Sequence, residues 1–251
     1  MTVTAEVESG LLVYGVVPAG TALPDLSGVG DAPLSLLPHA GLAAVVGPVP
    51  IDRPRVGPAE LRAYHAVVDA LASAGPVAPV RFGAVLRDEA DVVDALLAPH
   101  AATLTELLAT LEGRRQLKLR ARFVEDVVLA EVVAADPVIR DLRERTLAAP
   151  EAVSWADRVR LGELVAHAVE QRRDAEAGAL WDLVAPHAVE LRESPGSGTD
   201  HVVDLALLVD DDRIPGLERT LEAYAEAAYD RVRLSLSGPL PPYDFVEASW
   251  A

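Results

Sequence analysis

His39, His65, His100, His167, His187 and His201 are the residues best suited to hold a metal or move a proton, and their spacing argues against a shared site. A zinc site on one helix needs two histidines four apart, because only that spacing aims both rings at one ion. No pair here has it. Cysteine is absent, so no thiolate site, disulfide or cysteine nucleophile is available. No serine stands in a turn of the GxSxG type. The segment "SGVGDAP", with Gly28 and Gly30, is superficially a phosphate loop, but it lacks both the Lys-Ser/Thr ending of a P-loop and the third glycine of a dinucleotide fingerprint. It reads as a turn. Asp210, Asp211 and Asp212 have no glutamate to close a cation loop and read as solvated carboxylates at a helix start. No catalytic, metal-binding or cofactor-binding residue is assigned, and no Asp/Glu pair stands out as an acid and its base.

Cations offer a second kind of chemistry. Lys118, Arg120 and Arg122 alternate along one segment and Arg231 and Arg233 along another, so neighbouring strands would gather them on one sheet face. Such a face on a small α/β domain suggests RNA, but no outward aromatic is available to stack a base. The net charge of −17 opposes nucleic acid and anionic lipid alike. The face is better suited to salt bridges with an acidic partner or with the protein's own helices.

The elements that position these residues follow from periodicity. At 251 residues and 51% hydrophobic content the chain can bury a large core, in one domain or two. "GLLVYGVVPAG" reads as a strand, followed by a loop from Thr21 to Pro33 and a second strand, "GLAAVVGPVP". Pro58 and Glu60 mark a helix start; Leu61, Tyr64, His65, Val68, Leu71 and Ala72 share one face of that helix, and Gly75-Pro76 ends it. "GPVAPVRFGAVL" then supplies a third strand. Two short helices follow, carried by Val92, Val93, Leu96 and Leu97 and by Leu104, Leu107, Leu108 and Leu111, with Pro99 and His100 between them.

Beyond "LEGRRQL" a second α/β stretch begins. In "QLKLRARF", Leu117, Leu119, Ala121 and Phe123 alternate with the cations as in a strand with one wet face. Helices are expected over Val124 to Ala134, over Pro137 to Ala148, and from near Trp155, where Trp155, Val159, Leu164, Val165, Ala168 and Val169 form a buried stripe. "GALWDLVAPHAVELRE" reads as a shorter helix ended or interrupted at Pro186. "HVVDLALLV" is a strand covered on both faces, Leu217, Leu221, Tyr224 and Ala228 mark a helix, and "DRVRLSLS" is a closing strand. The expected fold class is α+β in two domains: a small mixed α/β domain over 1–114, and a ferredoxin-like domain with extra helices and a terminal tail over 115–251. The opening "MTVTAEVESG" lacks the blocks of a secretory signal and no apolar run reaches the ~18 residues that span a bilayer, so a cytoplasmic protein is expected.

"PVAPVRFGAVL" closely resembles the "PVLPVRFGTV" element of the gas vesicle protein family GvpF/GvpL. "LLVYGVV" resembles that family's opening "YVYGIV"-type strand, "LAAVVGPVP" its second strand, and "LSLSGPLPPYDFV" its "TGPWPPYSFV"-like ending. "GRRQLKLRARF" stands where the family has a glycine followed by a strand. These landmarks keep the family's order over nearly the full chain. Departures are Leu240 in place of a frequent aromatic, Asp244 in place of serine, and Ala78 and Ala84 in place of larger or polar residues.

The resemblance implies a non-enzymatic accessory protein of gas vesicle formation, cytoplasmic and gas vesicle associated, without a cofactor. Its implied partners are the shell protein GvpA and other accessory Gvp proteins, with no nucleic acid and no lipid membrane. The candidate interaction residues are those of the two longer motifs: Arg81, Phe82, Gly83, Gly238, Pro239, Pro241, Pro242, Tyr243 and Phe245. In an unbroken strand Val77, Pro79, Arg81 and Gly83 would share one face, and Arg81 would form a half-buried ion pair with a helix carboxylate. Gly83 would permit a close backbone approach. The tail prolines disfavour a continuing paired strand, and Tyr243 and Phe245 would anchor on the protein's own body. The alternative is a ferredoxin-like regulatory or small-ligand-binding protein, which needs a polar-lined pocket.

Overall fold

The computed structural model describes residues 9–51 and 57–246, which leaves the acidic opening segment outside the described residues. The chain divides into two compact units, Met1–Gln116 with Gly238–Ala251, and Leu117–Ser237.

In the first unit β1 (Ser9–Pro18), β2 (Ser35–His39), β3 (Leu42–Pro50), β4 (Ala78–Pro79) and β5 (Val85–Leu86) form an antiparallel sheet ordered β2-β3-β1-β4, with β5 also on β1. Both faces are covered, which is why β1 and β3 are apolar almost throughout. On one face Leu12, Tyr14, Val17, Ala43 and Val45 meet Tyr64, Val67, Val68 and Leu71 of α1 (Pro58–Ala74). On the other, Val13, Val16, Leu42, Ala44 and Val46 meet Val92, Leu96, Leu97, Leu104 and Leu108 of α2 (Glu89–Val92), the π-helical stretch Val93–Leu97 and α3 (Ala98–Leu111). Of the face expected on α1, Leu61 and His65 are exposed.

Two expectations change here. β2 lies where no strand was expected, because Pro38 interrupts a short apolar run; as an edge strand it tolerates the missing donor, and Ala40 and Gly41, with φ of 47° and 84°, turn it into β3. The two short helices are one continuous stretch. Its π-helical turns widen the backbone just before Pro99, which stands in the first turn of α3 and has no N–H to place. Among the described residues, Glu89–Leu111 is long and apolar enough to cross a membrane by length and composition, and it supplies five of the core side chains just named.

The second unit is a ferredoxin-like sandwich. β6 (Arg114–Phe123), β7 (Ala188–Glu193), β8 (His201–Asp210) and β9 (Val232–Leu240) form a sheet ordered β7-β8-β6-β9. The connections are α4 (Glu125–Ala135), α5 (Pro137–Ala148) and α6 (Glu151–Val184) between β6 and β7, and α7 (Ile214–Ala227) between β8 and β9. Leu117, Leu119, Ala121 and Phe123 of β6 and Val203, Leu205, Leu207 and Val209 of β8 pack with Leu180 and Val184 of α6 and Leu217 and Leu221 of α7. Three of the cations find partners inside the unit. Arg122 meets Asp204 at 3.3 Å, Arg231 meets Glu176 at 3.0 Å, and the Arg233 guanidinium sits 4.1 Å from the Tyr229 ring centre.

Here too three expectations are corrected. The segment read as a shorter helix is the end of α6, a turn at Pro186, and β7. β7 is an edge strand whose Glu190, Arg192 and Glu193 break any apolar alternation while discouraging pairing with other chains. β9 runs on through Pro239 to Leu240, possible because it is the opposite edge strand. Leu164, Val165, Ala168 and Val169 of α6 pack against the core as expected, whereas Trp155 and Val159 are 69% and 44% exposed. They lie in the part of α6 that pairs with α5, where Arg145 meets Asp157 at 3.2 Å and Arg158 donates to Ser154 Oγ at 3.0 Å and the Thr146 carbonyl at 3.1 Å.

Truncating Leu205, fully buried, to alanine should cost about 2–5 kcal/mol, whereas Leu147→Ala, at a side chain 71% exposed, should stay within about 0.5 kcal/mol. Urea unfolding of the two variants checks both.

Candidate functional site

The quoted strand is not continuous. Gly15 and Val16 of β1 face Pro79 and Ala78, and Leu11 and Leu12 face Leu86 and Val85, so Val13 and Tyr14 stand opposite the five residues from Val80 to Ala84. The surplus leaves the sheet as a turn. Val80 N–H donates to the Tyr14 carbonyl at 3.1 Å, Val13 N–H to Ala84 at 2.9 Å, and Ala84 N–H to Arg81 at 3.4 Å. Gly83 completes the turn at φ 103°, which a side chain would strain. A Cβ there would meet nothing within 4 Å, so the glycine answers a backbone angle and not a close approach.

Tyr64 of α1 holds this turn from below. Its hydroxyl donates to the Val80 carbonyl and lies 3.3 Å from the carbonyls of both Val13 and Tyr14. The ring stacks on Tyr14, with centroids 5.0 Å apart and planes 19° apart, and meets Phe82 edge-on at 5.1 Å. Tyr14 in turn accepts the Val29 N–H at 2.8 Å. Gly28 makes that possible, since a Cβ at this position would fall 2.4 Å from the Tyr14 hydroxyl oxygen. The glycine of "SGVGDAP" is therefore a packing requirement.

The tail arrives at the same cluster. Gly238 has φ 142° and precedes a cis peptide to Pro239; both residues are exposed, while Pro241 and Pro242 are buried. Tyr243 packs with the residues around Tyr64 and meets His65 edge-on at 6.4 Å, and Phe245 is buried. Gln116, itself buried, clamps the segment by donating to the Asp244 carboxylate at 2.6 Å and accepting the Asp244 N–H at 3.1 Å. Asp244, a departure from the motif, thus has a structural partner.

Of the sequence-derived candidates, the structure brings Phe82 and Tyr243 into one cluster, and Pro241, Pro242 and Phe245 are buried. Arg81 and Gly83 stand on the turn's outer surface, as Gly238 and Pro239 do on theirs. Arg81 is exposed, and no carboxylate of the described residues is in ion-pair range of it; the expected half-buried pair depended on an unbroken strand. Tyr14 and Gln116 carried no signal in the sequence, and Gly28 read only as a turn residue. Tyr64 was visible only as one position on a helix face, and nothing marked its hydroxyl as the group that caps a turn.

The electrostatics make the cluster a scaffold. Burial raises the Tyr64 pKa, as does the neighbouring Tyr243, and it raises that of Tyr14 against the Val29 hydrogen bond. Tyr243 is pushed up to about 12, chiefly by burial, against the neighbouring Tyr64 hydroxyl. At neutral pH all three hydroxyls hold their protons and act as hydrogen-bonding or packing groups. Among the described residues no three His, Asp or Glu side chains are grouped to hold a metal ion. The arrangement leaves an arginine exposed on a turn that a buried hydrogen bond and aromatic packing hold in place.

Tyr64→Phe keeps the ring packing and strands a buried carbonyl, so it should cost about 1–3 kcal/mol by urea unfolding. Tyr243 holds its proton more tightly folded than unfolded, so its contribution is complete below about pH 10 and lost as pH rises through about 12. Unfolding midpoints should fall across that window, and fall less in Tyr243→Phe.

Comparison with known proteins finds similarity over nearly the whole chain. The model of the family described as gas vesicle synthesis protein GvpL/GvpF matches residues 10–247. A gas vesicle protein F from a Streptomyces species is 33% identical over 240 residues, 94% of this chain and 98% of that one. One from Microcystis aeruginosa is 23% identical over 95% and 98% of the two chains. Crystal structures of GvpF from an Anabaena species and from Microcystis aeruginosa superpose with TM-scores of 0.80 and 0.77, each at 22% identity, covering 96% and 95% of this chain and 97% and 99% of theirs.

Proposed function

Because the chain belongs to the gas vesicle synthesis protein GvpL/GvpF family, and its role therefore lies in gas vesicle formation, we propose that it acts without catalysis, as an assembly factor that binds the shell protein GvpA and other accessory Gvp proteins. The place of action is the cytoplasm, at the growing vesicle. An unassembled shell subunit exposes apolar surface that must be kept from wrong self-association, and a soluble partner with a strong net charge is suited to that task. The observation that carries the reading is Arg81, exposed and without a carboxylate partner among the described residues, at the tip of a turn over which Tyr64, Phe82 and Tyr243 pack. An arginine held on a rigid support loses little side-chain freedom when a partner carboxylate or carbonyl meets it.

The alternative, a small-ligand-binding domain, needs a pocket with convergent polar groups. A recess of about 280 Å³ in the second unit is lined by Phe123, Val128, Leu129, Val165 and Val169 and by only a few polar side chains, which suits an apolar side chain better than a polar metabolite.

Co-expression with the host's GvpA, followed by co-purification, tests the proposal. Wild type should retain soluble shell protein, and Arg81→Glu should lower the amount at least about fivefold with an unchanged unfolding midpoint, as expected for an exposed residue. A folded wild-type protein that captures no shell protein would overturn the assembly reading; equal capture by Arg81→Glu would remove the turn as the contact.

A further inference from the structure

We propose that the exposed face of α6 in the second unit is a docking groove for an amphipathic helix of another protein, one whose apolar stripe is flanked by lysine or arginine. The proposal rests on the second unit alone and stands whichever protein meets Arg81.

Trp155, Val159, Gly162 and Ala166 are spaced at i, i+4, i+7 and i+11, so they share one helical face over about 16 Å. The first two are large apolar side chains left in solvent, 69% and 44% exposed. The next two are as small as residues can be, and both are exposed. A Cβ at Gly162 would meet nothing within 4 Å, and the space beside it is the recess of about 280 Å³. Large residues followed by small ones thus form a ridge leading into a hole. This is the complement of a helix that presents apolar anchors at i, i+4 and i+7, with one long side chain entering the recess. A glycine in the middle of an exposed helix costs roughly 1 kcal/mol against alanine, a cost the isolated unit gains nothing from.

Charge selects the occupant. Glu125 and Glu170 line the recess, and Glu163 lies beside the stripe on α6. Among the described residues the one cation lining the recess, Arg173, meets Glu170 at 2.5 Å and donates to the carbonyls of His201 and Thr199 at 2.6 and 3.2 Å. Arg158 is turned back onto Ser154 and Thr146. Neither Glu125 nor Glu163 has an ion-pair partner among the described residues, so a cation approaching the groove finds two free carboxylates. The net charge of −17 adds a favourable long-range field for a basic partner. The same field repels a second copy of this chain and an anionic lipid surface.

The test uses the full chain and two labelled 18-residue helical peptides with the same leucine and phenylalanine stripe, one flanked by lysine and the other by glutamate. Fluorescence anisotropy should show the lysine peptide binding, more weakly as salt rises, and the glutamate peptide not binding. Gly162→Leu, which fills the recess, and Trp155→Ala, which removes the ridge, should each weaken the lysine peptide at least about tenfold. Both sites are exposed, and leucine is the better helix former, so folding is retained; should Gly162→Leu lower the unfolding midpoint, Trp155→Ala decides alone. No binding of the lysine peptide, equal binding of the glutamate peptide, or binding indifferent to the variants overturns the proposal. So does concentration-dependent self-association of the protein that Trp155→Ala abolishes, since the occupant would then be a second copy.

Discussion

A strand that carries more residues than its neighbour can pair is the constraint on which the first unit turns. Five residues stand where the sheet has room for two, and the carbonyl of buried Val80 must find a partner or be left unsatisfied at a cost of about 1–3 kcal/mol. Tyr64 answers for the Val80 carbonyl with a hydroxyl delivered from α1. Once that bond is in place, the rest follows in order. Phe82 packs against the Tyr64 ring, Arg81 stands out in solvent, Gly83 supplies the positive φ, and Tyr243 closes over the cluster from a segment far along the sequence. A local excess of chain becomes a projection held by aromatic packing and a buried tyrosine hydroxyl.

The second unit solves a different problem. Its sheet is a ferredoxin-like four-strand arrangement whose cations are largely spoken for by Asp204, Glu176 and the Tyr229 ring. The long crossover between β6 and β7 then does more than connect two strands. Its helix α6 packs one face on the sheet over its C-terminal half and leaves apolar residues in solvent nearer its start. Among the described residues, the two units leave an arginine exposed on a turn in one and large apolar side chains exposed on a helix in the other. Membership of a family named for gas vesicle synthesis gives that pattern a setting.

Much of this was legible in the sequence wherever a single period ran unbroken. β6, with its alternating leucines and cations, and β8, apolar throughout, were readable from residue type alone. What failed to read were places where two signals overlapped. Pro38 hid β2 because an edge strand and a loop look alike when a proline is present. Pro186 suggested a broken helix where a strand begins. Trp155 and Val159 continue the apolar period of α6 into a region where the sheet no longer lies beneath the helix, and periodicity records only which face a residue is on. The motif around Arg81 was found, but alternation was the wrong geometry for it: a turn out of register is invisible to a rule that counts in twos. Tyr64 had no local mark, since its partners lie on β1, on the turn and in the tail.

The most direct measurement places a photo-reactive amino acid at position 81, in cells that also produce the shell protein, and identifies what it captures on illumination. The account predicts a covalent adduct with GvpA from position 81 and none from the exposed Leu26 position of the same unit. Adducts from both positions alike, or from neither while the protein is folded and the shell protein present, would contradict it.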